Sequence, residues 1–278
     1  MQHVSSFVSP KPGRLLSEDV VSSAGNCVWL LDAATPPHGK KPSENTQLYV
    51  HALSNNIYKY IRREPNSALN LILAKAIGSA SEEANFDDEP AYLPYSTVIL
   101  ARKKEESIDY LVLGDSYLLI NDGCNWTTIS DDRLKACATT ERQAVRSLTA
   151  KGVDQNSLLY REAHNALVQR EAQLMNHENG FWVACDNPEA AMMALCGTIN
   201  VSPMDFTIFA MSDGLARANT HLRTPIEFPE IPETILKLGA TAFVNLLRAS
   251  ERDFGRYLGV SSSVHDDISY IQMSATSE

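Results

Sequence analysis

Carboxylates recur where apolar runs stop. Asp32 follows Cys27-Val28-Trp29-Leu30-Leu31, Asp115 follows Tyr110-Leu111-Val112-Leu113-Gly114, and Asp213 follows Phe206 to Ser212. Asp266 opens the run ending "DDISYIQM", and Glu18 and Asp19 precede "VVSS". One aspartate beside a strand is an ordinary turn residue, because its side chain bonds nearby backbone N–H groups. Several are a different matter, since adjacent antiparallel strands can bring their ends to one rim. Bare carboxylates gathered there repel one another and their pKa values rise. Divalent cations remove that cost. An all-oxygen donor set suits Mg2+ or Mn2+, and the lack of a His/Cys ligand cluster argues against zinc. Two ions about 3.5–4 Å apart would hold a water as hydroxide and neutralise charge building on a phosphoryl oxygen. The sequence therefore permits a binuclear hydrolase.

The elements that must position these groups are readable from periodicity. "DVVSSAGNCVWLLDAAT" predicts two strands joined around Ser23 to Asn26. Ser43 to Arg63 has a helical period with Tyr49, Leu53, Ile57 and Tyr60 on one face. A second helix follows, with the stripe Leu69, Ile72, Leu73 and Ala76 and a cap at Asn66 or Ser67. "EEANFDDEPAYLP" reads as an acidic loop. "STVILARK", "NWTTIS", "GFWVAC", "FTIFAMSDG" and "DDISYIQM" read as strands, and "IDYLVLGDSYLLIND" as two strands hinged by a tight turn at Gly114-Asp115-Ser116. Arg133 to Asn176 is helical, with Leu159, Ala163, Leu167, Arg170 and Leu174 on one face. Further helices are predicted from Pro188 and over Thr234 to Leu247. Strands come in runs separated by helix pairs, which favours an α+β domain with antiparallel sheets and helices outside over a doubly wound parallel sheet. No repeat or linker divides the 278 residues, so one domain is expected.

Composition narrows the partners. A formal charge of −10, with no stripe of Lys and Arg, argues against nucleic acid. No apolar run is long enough to cross a bilayer, and the N-terminus lacks a secretory pattern. Five scattered cysteines without a CxxC pair read as reduced thiols, so a cytoplasmic protein is expected. None sits in a glycine-rich loop followed by arginine, which disfavours a cysteine nucleophile.

Taken in order, "RLLSED", "LLDAAT", "LGDS", "SDGL" and "HDDIS" resemble the metal-dependent protein phosphatases of type 2C, and "GFWVACDNPEAA" resembles a compact bacterial branch. The motifs run from Arg14 to Ser269, nearly the whole chain. The resemblance implies a four-layer α-β-β-α sandwich over residues 1–278, with its core at about 10–274. It implies a signalling phosphatase acting on phosphoserine and phosphothreonine in proteins, with Mn2+ or Mg2+ as cofactor.

It also implies residue roles. Glu18 takes the place of a metal ligand and Asp19 that of a water-orienting catalytic group. Asp32 bridges two ions, and Ala33, where the family has glycine, lends its carbonyl. Asp213 and Asp266 serve the other ion, Asp267 stands behind the ligands, and Arg14 grips phosphate. Asp115 matches a ligand of a third ion, but its expected partner, four residues after Asp213, is Arg217, which argues against that ion. Ala34 stands where many members have a histidine acid, and His38 lies in the following loop. These departures keep open an alternative: a pseudophosphatase that binds phosphoproteins or a regulatory partner without turnover. A nuclease fits poorly with the acidic balance.

Overall fold

The computed structural model describes residues 2–34, 42–84, 93–222, 224–254 and 265–275. His38 and most of the acidic loop after Glu83 lie outside them. The strands are β1 His3–Ser9, β2 Val20–Ala24, β3 Cys27–Ala34, β4 Tyr95–Lys103, β5 Ser107–Leu113, β6 Tyr117–Asn121, β7 Trp126–Ile129, β8 Leu195–Asn200, β9 Phe206–Met211 and β10 Ile268–Ala275. The helices are α1 Pro42–Arg63, α2 Leu69–Ala84, α3 Arg133–Ala136, α4 Thr139–Ala150, α5 Leu158–Leu174, α6 Asp213–Ala216, α7 Ala218–His221, α8 Glu230–Leu238 and α9 Ala240–Phe254, with a 3-10 turn at Pro188–Met193. Two antiparallel five-stranded sheets result, ordered β1-β10-β9-β6-β7 and β2-β3-β4-β5-β8.

Strand alternation builds the layers. On β3, Cys27, Trp29, Leu31 and Ala33 face α1 and α2, while Val28 and Leu30 face the other sheet. On β9 and β10, Ile208, Ala210, Ile271 and Met273 meet them, and Phe209, Met211 and Tyr270 turn outward to α8 and α9. The order is helices, sheet, sheet, helices: the α+β four-layer sandwich expected. Trp29 is fully buried and its Nε1 donates to Ser54 Oγ of α1 at 2.9 Å, which fixes the helix layer against β3. Each Leu or Ile buried this completely contributes roughly 1.5–3 kcal/mol. Among the described residues no helix is long and apolar enough to cross a membrane.

Several expectations change. The Gly114-Asp115-Ser116 hinge is no hairpin, because β5 and β6 belong to different sheets and the chain crosses between them there. Crossing requires close backbone approach: Gly114 has φ +86°, and a Cβ on it would lie 2.7 Å from Thr97 Cγ2. "GFWVAC" makes only isolated bridges, Met175 to Phe181 and Ser96 to Ala184, since the Val183 N–H is taken by Asn176 Oδ1. The Arg133–Asn176 helix is three helices, broken at Ala138 and Gly152, both at positive φ. On the last of them Tyr160 and Leu167 are buried while Leu159 is exposed. The Thr234–Leu247 helix is two, divided at Gly239, whose φ of +83° ends α8. The Ser67 hydroxyl donates to Glu64 Oε2. The edge strands β1 and β8 were not anticipated.

Replacing Gly114 by Ala should lower stability by about 1–3 kcal/mol, because it forces a side chain into both a left-handed backbone and Thr97. Urea denaturation of the variant checks this; an unchanged midpoint would show that the crossing tolerates a Cβ.

Candidate active site

The same alternation that buries Val28 and Leu30 turns Asp32 into the space between the sheets. Asp32 does not end its strand: β3 continues to Ala34, with Asp32 opposite Thr97 and Ala33 opposite Ser96. β2 pairs Val20 with Leu31, and Asp19, one residue earlier, is the strongest negative neighbour of Asp32. The opposite sheet supplies Asp213, just beyond β9 at the start of α6, and Asp266, two residues before β10. Asp115 comes from the β5–β6 crossing. Thr97, Ser116, Ser212 and Ser269 line the floor: Thr97 Oγ1 and Ser116 Oγ are 2.7 Å apart, and the Ser269 N–H donates to Ser212 Oγ at 3.0 Å.

Asp32 Oδ2 accepts from the Asp213 N–H at 3.3 Å and lies 3.5 Å from the Ser116 hydroxyl. That is thin support for an ionised group. Asp32 and Asp213 keep some solvent access, yet protein surrounds them enough that desolvation is the largest influence on each. Burial first, then Asp19, Asp213, Asp266 and Asp115, pushes Asp32 well above the usual carboxylate range. Burial and Asp266 push Asp213 up to about 7. Asp115 is raised too, chiefly by burial.

Asp19 is the most exceptional member. It is only 4% exposed, and both carboxylate oxygens are buried without a hydrogen bond. The nearby Ser269 hydroxyl, itself buried without a hydrogen bond, lowers its pKa somewhat but leaves it well above normal, because burial dominates and Asp267, Asp266 and Asp213 add to it. Orphaned buried oxygens need a partner. Among the described residues no three His, Cys, Asp or Glu side chains already close on one point, as bare, mutually repelling carboxylates would not. The all-oxygen donor set fits a hard divalent cation, and the orphaned Asp19 oxygens fit a water that such a cation would hold.

Other expected residues fall beside this cluster. Glu18 is buried, 4.0 Å from both Lys11 Nζ and Arg14 Nη1, and is not among the strongest charges that raise Asp32. Asp267 ties down the loop: its oxygens accept from the Lys11 N–H at 2.7 Å and the Glu18 N–H at 2.6 Å. Gly214 is required by packing, since a Cβ there would sit 1.9 Å from the Asp267 carbonyl oxygen.

A network that periodicity could not reveal lies behind Asp266. Arg217 Nη2 is 2.8 Å from Asp266 Oδ2, and its Nη1 is 3.4 Å from Glu251 Oε1. Fully buried Glu251 also takes Arg248 Nη1 at 3.0 Å and His265 Nδ1 at 2.8 Å. These partners are scattered along the chain, so only the fold joins them.

In chelator, the raised carboxyls set the sign of a pH effect. Asp213 holds a proton in the folded protein up to about pH 7 that the unfolded chain releases near 4. Its contribution is therefore full below about pH 4 and is lost as pH rises through 7. Urea midpoints of metal-free protein should fall over that window, and Asp213→Asn should flatten the fall. A midpoint that rises between pH 4 and 7 would contradict the electrostatics.

No protein-family model and no curated protein matches this sequence. Solved structures do. The PPM Ser-Thr phosphatase MsPP from Mycobacterium smegmatis, in complex with cacodylate, aligns at TM-score 0.53 and 14% identity over 98% of each chain. The catalytic domain of the serine threonine protein phosphatase PstP, in complex with two manganese ions, aligns at 0.52 and 14% over 99% of each. Stp1 from Staphylococcus aureus aligns at 0.57 and 14% over 100% of this chain and 96% of its own. End to end, and with little sequence in common, this chain has the fold of the bacterial PPM serine/threonine phosphatases.

Proposed function

We propose that this chain is a metal-dependent phosphoserine/phosphothreonine protein phosphatase whose acidic rim holds two Mn2+ or Mg2+ ions. The observation that carries the reading is the acidic rim itself: Asp32 is crowded by Asp19, Asp213, Asp266 and Asp115, and Asp19 keeps two buried oxygens without a hydrogen bond, open to a water that such ions would hold. The likeness in fold to PstP, whose solved structure contains two manganese ions, supports it. Glu18, Asp32, the Ala33 carbonyl, Asp213 and Asp266 would hold the ions, with Asp115 as an additional ligand at the crossing. Bound ions of this kind convert a water to hydroxide at neutral pH and offset charge on phosphoryl oxygens.

The chain's own residues do the rest. Asp19 accepts a hydrogen bond from the attacking water and fixes its approach. Attack is directly on phosphorus, in line with the departing serine or threonine oxygen, and leaves no phospho-enzyme. Arg14, on the loop before Glu18 with its side chain 45% exposed, reaches outward to grip the phosphate through two parallel N–H groups. Ala34 offers no proton donor where the family often has histidine, so solvent protonates the leaving alcohol. We read residues 1–278 as one domain with its core at about 10–274, and five unpaired thiols as the mark of a reducing cytoplasm. The partner is a phosphoprotein, in keeping with a role in signalling.

A second reading, a pseudophosphatase serving as a binding module, is favoured by Arg217 already paired with Asp266 and by Ala34. Assays on an aryl phosphate and a phosphothreonine peptide decide between them. The enzyme predicts Mn2+-dependent turnover that chelator abolishes and that Asp32→Asn lowers by at least about a hundredfold. Metal binding without turnover on either substrate favours the binding module. Arg14→Ala should raise KM about tenfold with a smaller effect on kcat; an unchanged KM removes Arg14 from phosphate binding.

A further inference from the structure

Charge bookkeeping around the rim gives Arg217 a role beyond an ordinary ion pair. The carboxylates that crowd Asp32 are Asp19, Asp115, Asp213 and Asp266, so the cluster carries five negative charges once all five are ionised, as ligands to cations would be. Nearby charged groups balance outside it. Glu18, proposed above as a ligand, brings its own counter-charge in Lys11 and Arg14, each 4.0 Å away and by the loop that Asp267 ties down, so it adds no net negative charge. Asp131 is held by Arg133, Lys135 pairs with Asp132, Arg142 with Glu171, and Glu251 with Arg248. Arg217 alone, among the described residues, places a cation directly on a member of the five, 2.8 Å from Asp266 Oδ2. One guanidinium against five carboxylates leaves four negative charges, the charge of two divalent cations.

The guanidinium is also fixed in place. Arg217 joins α6 to α7, is 8% exposed, and its second nitrogen is anchored 3.4 Å from Glu251, itself fully buried. Arg248 Nη2 donates to the Asp266 carbonyl, holding the same segment from behind. A cation so held cannot swing aside when ions arrive, and at close range in a poorly hydrated site it repels them strongly.

From this geometry we infer that Arg217 is the rim's built-in counter-ion, limiting the site to two divalent ions and weakening their binding. The inference rests on the reading of the rim as a divalent-metal site. Manganese bound per chain, counted by equilibrium dialysis with elemental analysis, and Mn2+ affinity, measured by titration calorimetry, test it without any assay of turnover. Wild-type protein should bind two Mn2+ per chain. Arg217→Gln, which removes the charge but keeps a polar side chain, should bind Mn2+ about tenfold more tightly or better. Arg217→Lys should keep the wild-type affinity. A purely structural arginine predicts the reverse, since its loss would loosen Asp266 and weaken binding. A wild-type count of one or three, or a Gln variant that binds no more tightly than wild type, overturns the inference. The wild-type count stands even if the Gln variant does not fold. A wild type that binds no Mn2+ at all would instead sink the metal reading on which the inference rests.

Discussion

The repulsion among Asp19, Asp32 and Asp213 is the constraint on which the rest of the structure turns. Carboxylates in a partly desolvated rim cost free energy to keep near one another, and this fold spends apolar packing to do so. The Cys27–Leu31 run, buried to 2% exposure or less, holds Asp32 in register with Thr97, so the charge cannot relax away by fraying. Sites that bind hard cations need this rigidity, because ligands that can move apart do not discriminate.

The two-sheet architecture explains where the cluster forms. One sheet contributes Asp32 and the residue before β2; the other contributes the end of β9 and the approach to β10. The crossing at Gly114 brings Asp115 to the same mouth. A hairpin at that point would have kept both strands in one sheet and taken Asp115 elsewhere. Behind the mouth, α9 supplies Glu251 and Arg248, so the helix layer reaches the site through Arg217 and Asp266. The outer helices are thereby coupled to the chemistry by charge as well as by packing.

Much of this was legible in the sequence, because burial imposes periodicity. β3, β4, β9 and β10 are short apolar runs buried on both faces, α1 and α2 carry helical stripes, and the strand runs pointed to Asp32, Asp213 and Asp266. β1 and β8 were not, because these edge strands bury little: in "HVSSFVS" the less exposed positions are Ser5, Phe7 and Ser9 while Val4 and Val8 face solvent, and "LCGTIN" likewise offers no apolar period. Helix breaks at Ala138 and Gly239 depend on local backbone conformation that a periodic stripe does not encode. The partners of Arg217 lie far apart along the chain, so its replacement of an expected aspartate was visible while its pairing was not. The water-orienting role of Asp19 follows from resemblance alone; its orphaned oxygens and its effect on Asp32 are properties only of the folded chain.

The departures from the family pattern, Ala33 and Ala34 just after Asp32 and Arg217 on Asp266, bear on rate and on ion content. The carboxylates themselves carry the central claim, that the rim exists to hold cations. A crystal structure of the protein grown or soaked with Mn2+ tests it most directly. The account predicts manganese density touching Asp32 on two sides, with Arg217 still on Asp266. An empty rim in which Asp19 and Asp32 share a proton, with manganese bound only elsewhere, would contradict it.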